Sequence, residues 1–479
     1  MRRFAFPALA IGLLVAGCTL NPATNKRQLV LTTESQEKEL GRRATRQIEQ
    51  SIGVVSDPRI AAYVTKVGRK VAAGAPAGQF DYEFRVVEME EPNAFAVPGG
   101  YVFVSRGLLA LTNSEAELAG ILGHEVGHVA ARHGTNQASV QAPLRIATGL
   151  GAAATGIVSS SLGDFVSGLG GAATDAVFSS YGRDQEREAD QLGQRFMVTT
   201  GYDPAGLSFA LDSLRRYAVQ HGQDDGPSFF SSHPSTPERV DAIRAGAREL
   251  GASVPPSSSS RSTHLAALDG LRMAEDPDHG VFVGTDFIQP AMGFTIRFPD
   301  GWEAANARDF VAAKSAQSFV LVTLVEAPGP MEAGHAIEQR DGVDLRLQSV
   351  RIGGLPAARG QAKAKIGSND AVLDVVWIQH GEALYQIVGI SPVEGADGDR
   401  ASIDTTMKSF RPATPTDRTR IRVDRLRVVR ARAGETIGSL AKRVGSQGTP
   451  EELAILNGVA PNEPLRRGEA MKVIRREAY

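Results

Sequence analysis

Two histidines four residues apart enclose a glutamate in His124-Glu125-Val126-Gly127-His128. Residues four apart on an α-helix lie about 40° apart in azimuth, so both imidazoles leave one face. Such a pair suits Zn²⁺, and Glu125, one position round, can reach a metal-bound water. A catalytic zinc needs a third protein ligand and an open position. His133 does not supply it: the longer protease pattern requires Gly at 131 and His at 134, where this chain has Ala131 and Gly134. Downstream, Glu186-Arg187-Glu188-Ala189-Asp190 puts a Glu and an Asp four apart on an expected helix. Glu186 then reads as the ligand and Asp190 as the acceptor that orients a zinc-binding imidazole. Glu188, about 200° round from Glu186, faces away on this reading.

These side chains need elements to carry them. Asn113 to His133 reads as a helix, with a Ser114/Glu117 capping-box pattern at its start and Gly134 just past its end. Arg183–Thr200, Pro204–His221 and Thr236–Leu250 are also helical, as is Glu34 to Val71 with an interruption at Asp57-Pro58. Tyr82–Met89 and Ala94–Val104 are strand-like, the second broken by a hairpin signal at Pro98-Gly99-Gly100. Gln137–Gly182 is rich in Gly, Ala and Ser and contains the uncharged run Ile146–Gly163. With few large side chains, that run reads as a packed helical hairpin or a flap beside the site, not as a membrane span. Pro255–Ser262 is a linker by composition. Beyond it, Phe294–Phe298, Ser318–Val325, Ala371–Gln379 and Leu384–Ile390 read as strands and Ile403–Ser409 as a short helix. This is an α+β domain of unassigned role, whose opening at Gly293–Trp302 resembles photosystem-accessory and Mog-type sandwich domains.

Together, Asn93-Ala94-Phe95-Ala96-Val97-Pro98-Gly99-Gly100, His124–His128, Glu186–Asp190 and His233-Pro234 resemble the HtpX/BepA/Oma family of zinc metallopeptidases, which also includes prenyl-protein proteases. The resemblance covers about residues 25–250 and is closest to periplasmic, BepA-like lipoprotein members. It implies a gluzincin catalytic domain with one Zn²⁺ per chain, held by His124, His128 and Glu186, and with Glu125 as general base. It also implies that substrate adds as a β-strand along Asn93, Ala94, Phe95 and Ala96. One departure is Gly182-Arg183, where many members have Ser-Arg. His233 has two readings. It reaches the open zinc position as a self-inhibitory plug or oxyanion stabiliser, or it is a histidine at a helix start whose neighbour Pro234 begins the turn.

Arg2-Arg3 precedes an uncharged stretch from Phe4 to Gly17, and Val15-Ala16-Gly17-Cys18 resembles a bacterial lipobox. The expectation is a signal peptide over 1–17, an acylated Cys18 and a tether to residue 33. Thr19 in place of Asp favours the outer membrane by resemblance to the Gram-negative sorting rule, giving a periplasmic, lipid-anchored protein. Residues 428–474 look like a LysM module, which implies contact with peptidoglycan glycan. From Arg418 onward there are 14 Lys+Arg and 7 Asp+Glu, so a basic tail balances an acidic body.

The net charge of −2 excludes a wholly basic nucleic-acid binder, and no nucleic acid is expected as a partner. One cysteine excludes a disulfide framework, a Cys-rich zinc finger and an iron–sulfur cluster. The expected fold class is α+β in three parts. A mainly helical peptidase domain with a small edge sheet spans 34–250 and is followed by a linker at 251–279. A sandwich-like domain spans 280–412, and a small βααβ LysM-like domain spans 418–479. The expected function is a zinc metalloendopeptidase of the bacterial envelope acting on misfolded or unassembled outer-membrane proteins. The alternative is a peptidoglycan-bound scaffold or chaperone lipoprotein with minor proteolysis; a cell-wall hydrolase is weaker still.

Overall fold

The computed structural model describes residues 18–29, 32–135, 181–222, 229–234, 237–251, 258–366 and 369–479. The expected leader at 1–17 and the uncharged run at 146–163 lie outside the described residues. The chain divides into two compact units, Met1–Met273 with Arg425–Arg475, and Ala274–Asp424 with Arg476–Tyr479.

The first unit is mainly helical. A short hairpin, β1 (Cys18–Leu20) and β2 (Arg27–Leu29), leads into α1 (Glu34–Ser51) and α2 (Pro58–Ala72). Asp57 caps α2 and Pro58 starts it, where a missing N–H costs nothing. Its stripe Ile60, Val64, Val67 and Val71 is fully buried. A three-stranded sheet follows, β3 (Glu83–Val87), β4 (Ala94–Val97) and β5 (Tyr101–Ser105), in the order β3-β5-β4. β4 pairs antiparallel with β5 through a turn at Gly99 and Gly100, whose φ of 87° and 100° suit glycine. β4 is the sheet's edge. After α3 (Arg106–Leu111) come α4 (Glu115–Ala130), α5 (Arg183–Thr199), α6 (Gly206–His221), α7 (Phe229–Ser232), α8 (Pro237–Glu249) and α9 (Ser258–Leu268).

α4 is the centre of the unit: every residue from Ala116 to Ala130 is buried. Its start is capped by Ser114, while the Glu117 carboxylate accepts from the Asn113 N–H at 2.8 Å, one residue further back than in a capping box. Its end departs from the expected His133. The helix stops at Ala130 because Arg132 takes a left-handed φ of 59° and the last carbonyls find side-chain donors. Asn21 Nδ2 and Gln79 Nε2 each donate to Ala130 O at 2.9 Å, and Gln28 Nε2 donates to Ala131 O at 2.9 Å. Residues 18–29, expected as part of a tether, thus form a hairpin that caps this helix.

Two further stretches differ from expectation. The linker at 251–279 contains α9, whose Leu265 and Leu268 are fully buried, because apolar residues after the serine run outweigh its composition. Arg425–Arg475 belongs to the same compact unit as α4, and Ile437, Leu440, Leu453, Met471 and Val473 join its apolar core. The element order here is strand Arg422–Arg430, helices Ile437–Val444 and Pro450–Asn457, and strand Ala470–Ala478 paired with the first.

The second unit is rich in sheet. Seven strands form one sheet around the long strands Leu355–Ile366, Asn369–His380 and Ala383–Pro392, which pair antiparallel in sequence order. Alternation splits the central strand between two cores. Val376 and Ile378 pack with Phe294, Ile387 and Phe410, while Val375 and Trp377 pack with Leu345 and Leu384. A four-stranded sheet and the helices Pro330–Asp341 and Asp397–Lys408 complete it. No helix among the described residues is long and apolar enough to cross a membrane.

Candidate metal centre

α4 and α5 cross in near backbone contact. A Cβ on Gly127 would lie 2.8 Å from Ala189 O, and one on Gly193 would lie 2.9 Å from the Gly123 carbonyl carbon. Only hydrogen fits there, and that closeness brings the Glu186 side chain to the histidine face of α4.

His124 Nε2 and His128 Nε2 stand 3.0 Å apart. Glu186 Oε1 is 3.2 Å from His128 Nε2, and Glu186 Oε2 is 3.5 Å from His124 Nε2. His233 Nδ1 is 3.2 Å from His124 Nε2 and 3.0 Å from Glu186 Oε1. One ligand atom from each of these four buried residues lies within 4.8 Å of the others.

The surroundings fix which nitrogens carry protons. His124 Nδ1 faces Asp190 Oδ1 at 2.9 Å, so its proton sits on Nδ1 and Nε2 presents a lone pair. His128 Nδ1 faces His133 Nδ1 at 3.0 Å, while His133 Nε2 donates to Glu188 Oε2 at 3.1 Å. His133 Nδ1 is therefore an acceptor, His128 Nδ1 the donor, and His128 Nε2 also presents a lone pair. Two lone pairs and a carboxylate aimed at one point repel each other unless a cation sits among them. Ligand atoms of a tetrahedral Zn²⁺ at about 2.0–2.2 Å lie roughly 3.2–3.6 Å apart. The carboxylate–imidazole separations of 3.2 and 3.5 Å fall in that range and the Nε2–Nε2 distance of 3.0 Å just below it, so the donor set suits the metal.

Protonation agrees. Burial pushes the His128 imidazole well below its ordinary range, against the pull of Glu186, so it stays neutral. Burial pushes Glu186 up, but the charge of His233 and its hydrogen bond to Glu186 Oε1 outweigh it and keep the carboxyl ionised. These are the forms a metal needs. Glu125 is fully buried and neither carboxylate oxygen has a hydrogen bond among the described residues. Burial raises its pKa, opposed by His233 and His124, so its affinity for a proton is high. Burial also disfavours charge on His233, but Glu125, whose Oε1 is 3.4 Å from Nε2, and Glu186 outweigh it.

The sequence-expected residues His124, His128, Glu186, Glu125, Asp190 and His233 thus converge. Asn93 lies fully buried just before β4, its N–H donating to Ser105 Oγ at 2.8 Å, and Ala94, Phe95 and Ala96 form the edge strand. Cys18 opens β1.

Three supports were not anticipated. Arg239 Nε and Nη2 make paired bonds of 2.8 and 2.9 Å to Asp190, and Nη1 lies 2.6 Å from Glu186 Oε2. Tyr181 stacks on His128 with ring centroids 3.9 Å apart. His133 orients His128, and Glu188 turns away from the metal position to His133 and to Lys26, 2.6 Å away. No spacing rule marks a single arginine at the start of α8. The available hint was the need of a buried Glu–Asp pair for a counter-charge.

The profile of Peptidase family M48 matches residues 58–247. The chain is similar to the Beta-barrel assembly-enhancing protease of Escherichia coli (strain K12), 28% identical over 226 residues, 47% of this chain and 46% of that protein. It is also similar to Metalloprotease YcaL of the same organism, 30% identical over 198 residues, 40% of this chain and 73% of that one. The chain spans about half the length of the first of these relatives. Among solved structures, cyanobacterial PsbP (CyanoP) from Synechocystis sp. PCC 6803 aligns with 28% of this chain and 95% of its own, at 13% identity and a TM-score of 0.23.

Proposed function

The chain belongs to peptidase family M48, and on that footing we propose that it is a zinc-dependent metalloendopeptidase of the bacterial cell envelope. The observation that carries this is the convergence of two histidine lone pairs and the Glu186 carboxylate beside Glu125, whose oxygens make no hydrogen bond among the described residues.

His124, His128 and Glu186 would hold the zinc, with Asp190, His133 and Arg239 keeping them in place. Bound there, Zn²⁺ would supply the positive charge that acidifies a water and polarises the scissile carbonyl. Glu125, whose oxygens make no hydrogen bond among the described residues, accepts the proton of the attacking water and passes it to the leaving nitrogen. β4, which ends the sheet order, would offer backbone groups along its outer edge to an extended substrate as an added strand. Segments able to become extended are then cut better than folded ones. His233, stacked on Phe229 and touching Glu125 and Glu186, acts in this reading as a plug over the open position that must withdraw when substrate enters.

The substrates we propose are misfolded or unassembled outer-membrane proteins. The name of the similar Beta-barrel assembly-enhancing protease supports this substrate class. The proposed location is the periplasm, with acylated Cys18 in the outer membrane and the 428–474 segment as a LysM-like contact to peptidoglycan. Purified, zinc-loaded protein should degrade an unfolded test protein, and a Glu125→Gln variant should lose at least about 100-fold in rate while keeping its zinc. Equal rates for the two would sink the proposal.

A further inference from the structure

Arg132 follows the end of α4 and holds a backbone conformation rare for a residue with a side chain, φ 59°. It lies beside the metal-binding residues in a small, partly open cavity of about 20 Å³ lined by Ala96, Val97, Gly99, His128, Tyr181 and Arg132 itself. Its guanidinium carries five donors, yet Nε is buried and has no hydrogen-bond partner among the described residues. The nearest carboxylate oxygen, Glu37 Oε2, stands 3.8 Å away, beyond hydrogen-bond reach, and has no partner either. Glu37 is fully buried, and burial raises its pKa against the pull of Arg132, so it is a weak counter-ion. The guanidinium is instead placed by the Phe80 ring, 5.5 Å from its centroid.

An arginine held in a strained conformation, without the paired bonds it is built to make, at the wall of a cavity beside His128, calls for a carboxylate from outside. Arg239, by contrast, has its fork filled by Asp190. We infer that Arg132 is a specificity-determining residue that receives a substrate carboxylate, from an Asp or Glu side chain or from the chain end, in the subsite between β4 and His128. The inference rests on the peptidase reading above and adds a preference that this reading does not contain.

The test uses the full, zinc-loaded chain and extended synthetic peptides in three arms: Asp or Glu at one position, Asn or Gln there, and an amidated against a free C-terminus. Mass spectrometry maps each cut. The expected result is an acidic residue, or a free chain end, at one fixed distance from the scissile bond, favoured about 10- to 100-fold in kcat/KM and mostly through KM. The arm that shows the preference identifies the source of the carboxylate. Arg132→Gln should abolish the preference yet cut the Asn/Gln peptides within about twofold of the parent, and Arg132→Lys should keep part of it. Glu37→Gln, which removes the weak internal partner, should keep the preference. If the parent cuts acidic and neutral peptides equally, or Arg132→Gln retains the preference, the inference is overturned while the peptidase reading stands. If the parent cuts nothing, both fall. The parent's own acid-to-amide ratio decides the matter even if the Arg132 variants do not fold.

Discussion

Replacing Arg239 by methionine keeps most of the side chain's bulk and removes its charge from beneath the metal position. The guanidinium makes paired bonds to Asp190 at 2.8 and 2.9 Å, stands 2.6 Å from Glu186, and donates to the carbonyls of His233 and Pro234 at 3.3 and 3.1 Å. One buried group thus ties the proposed ligand Glu186, the Asp190 behind His124, and the backbone that carries His233. Removing one partner of a buried ion pair costs about 3–5 kcal/mol, because the remaining carboxylates stay buried without a counter-charge. At roughly 2–3 °C per kcal/mol for a unit of this size, Arg239→Met should melt about 6–15 °C below the parent in chelator. With saturating zinc the gap should widen, since a parent that binds the metal more tightly gains more stability from it. Zinc affinity, read by competition with a chromogenic chelator, should fall about 10- to 100-fold, as expected when a group orienting metal ligands is lost. Arg239→Lys should fall between, keeping charge without the paired bonds. A methionine variant that melts within about 2 °C of the parent and binds zinc equally would refute the reasoning.

Three further outcomes follow from other parts of the same unit. His264 is buried against Tyr63 and Thr112, and burial first, Lys472 second, push its imidazole down to about 3. Its unfolded value is about 6.5, so the unfolded chain binds the proton first, and stability is lost as pH falls from 6.5 toward 3, by about 2 kcal/mol at pH 5. Denaturant titrations at pH 7 and 5 should show this loss, and His264→Gln should flatten it. Gly127→Val puts a branched side chain where a Cβ already meets Ala189 O at 2.8 Å, so α5 must move and take Glu186 with it. Zinc content after dialysis should drop well below one per chain. Lys472, fully buried, donates to the carbonyls of Ala110 and Thr112 at 2.7 and 2.8 Å. Lys472→Met leaves these acceptors unpaired, about 1–3 kcal/mol each, partly offset by the ammonium's own desolvation cost, so the urea midpoint should fall.

The pentad at 124–128 was legible because helical geometry alone puts its side chains on one face, and Glu186 with Asp190 because the same spacing recurs. The helices and the β4–β5 hairpin were legible from caps, periodicity and the Pro-Gly-Gly turn. What was not legible depends on pairs distant in sequence. Arg239 meets Asp190 across 49 residues, and His133 gains meaning only once Glu188 lies against it. α4 is buried all round, since the elements packed on it come from both sides of the 136–180 segment in sequence. In the second unit, strand Leu355–Ile366 was missed because its alternation of Ala, Arg, Gly and Lys has little strand propensity, and ten cross-strand pairs with Asn369–His380 supply what local preference lacks.

Segments far apart in sequence hold the two ends of the helix bearing the histidines. At its C-terminal end, Asn21, Gln28 and Gln79 take the free carbonyls of Ala130 and Ala131, and Lys26 extends the line Glu188–His133–His128 toward the metal position. At its N-terminal end, Asn113 accepts from Arg261 Nη1 at 2.9 Å, Arg261 reaches Asn457 O at 3.1 Å, and Lys472 caps the short helix just before. A helix end without partners frays, and fraying here would move His124 or His128 by more than a metal site tolerates. On this reasoning the 18–29 hairpin and the 425–475 segment help set the precision of the site whatever else they bind. A disturbance at either end of the chain would then register first as loosened metal binding, before the unit unfolds.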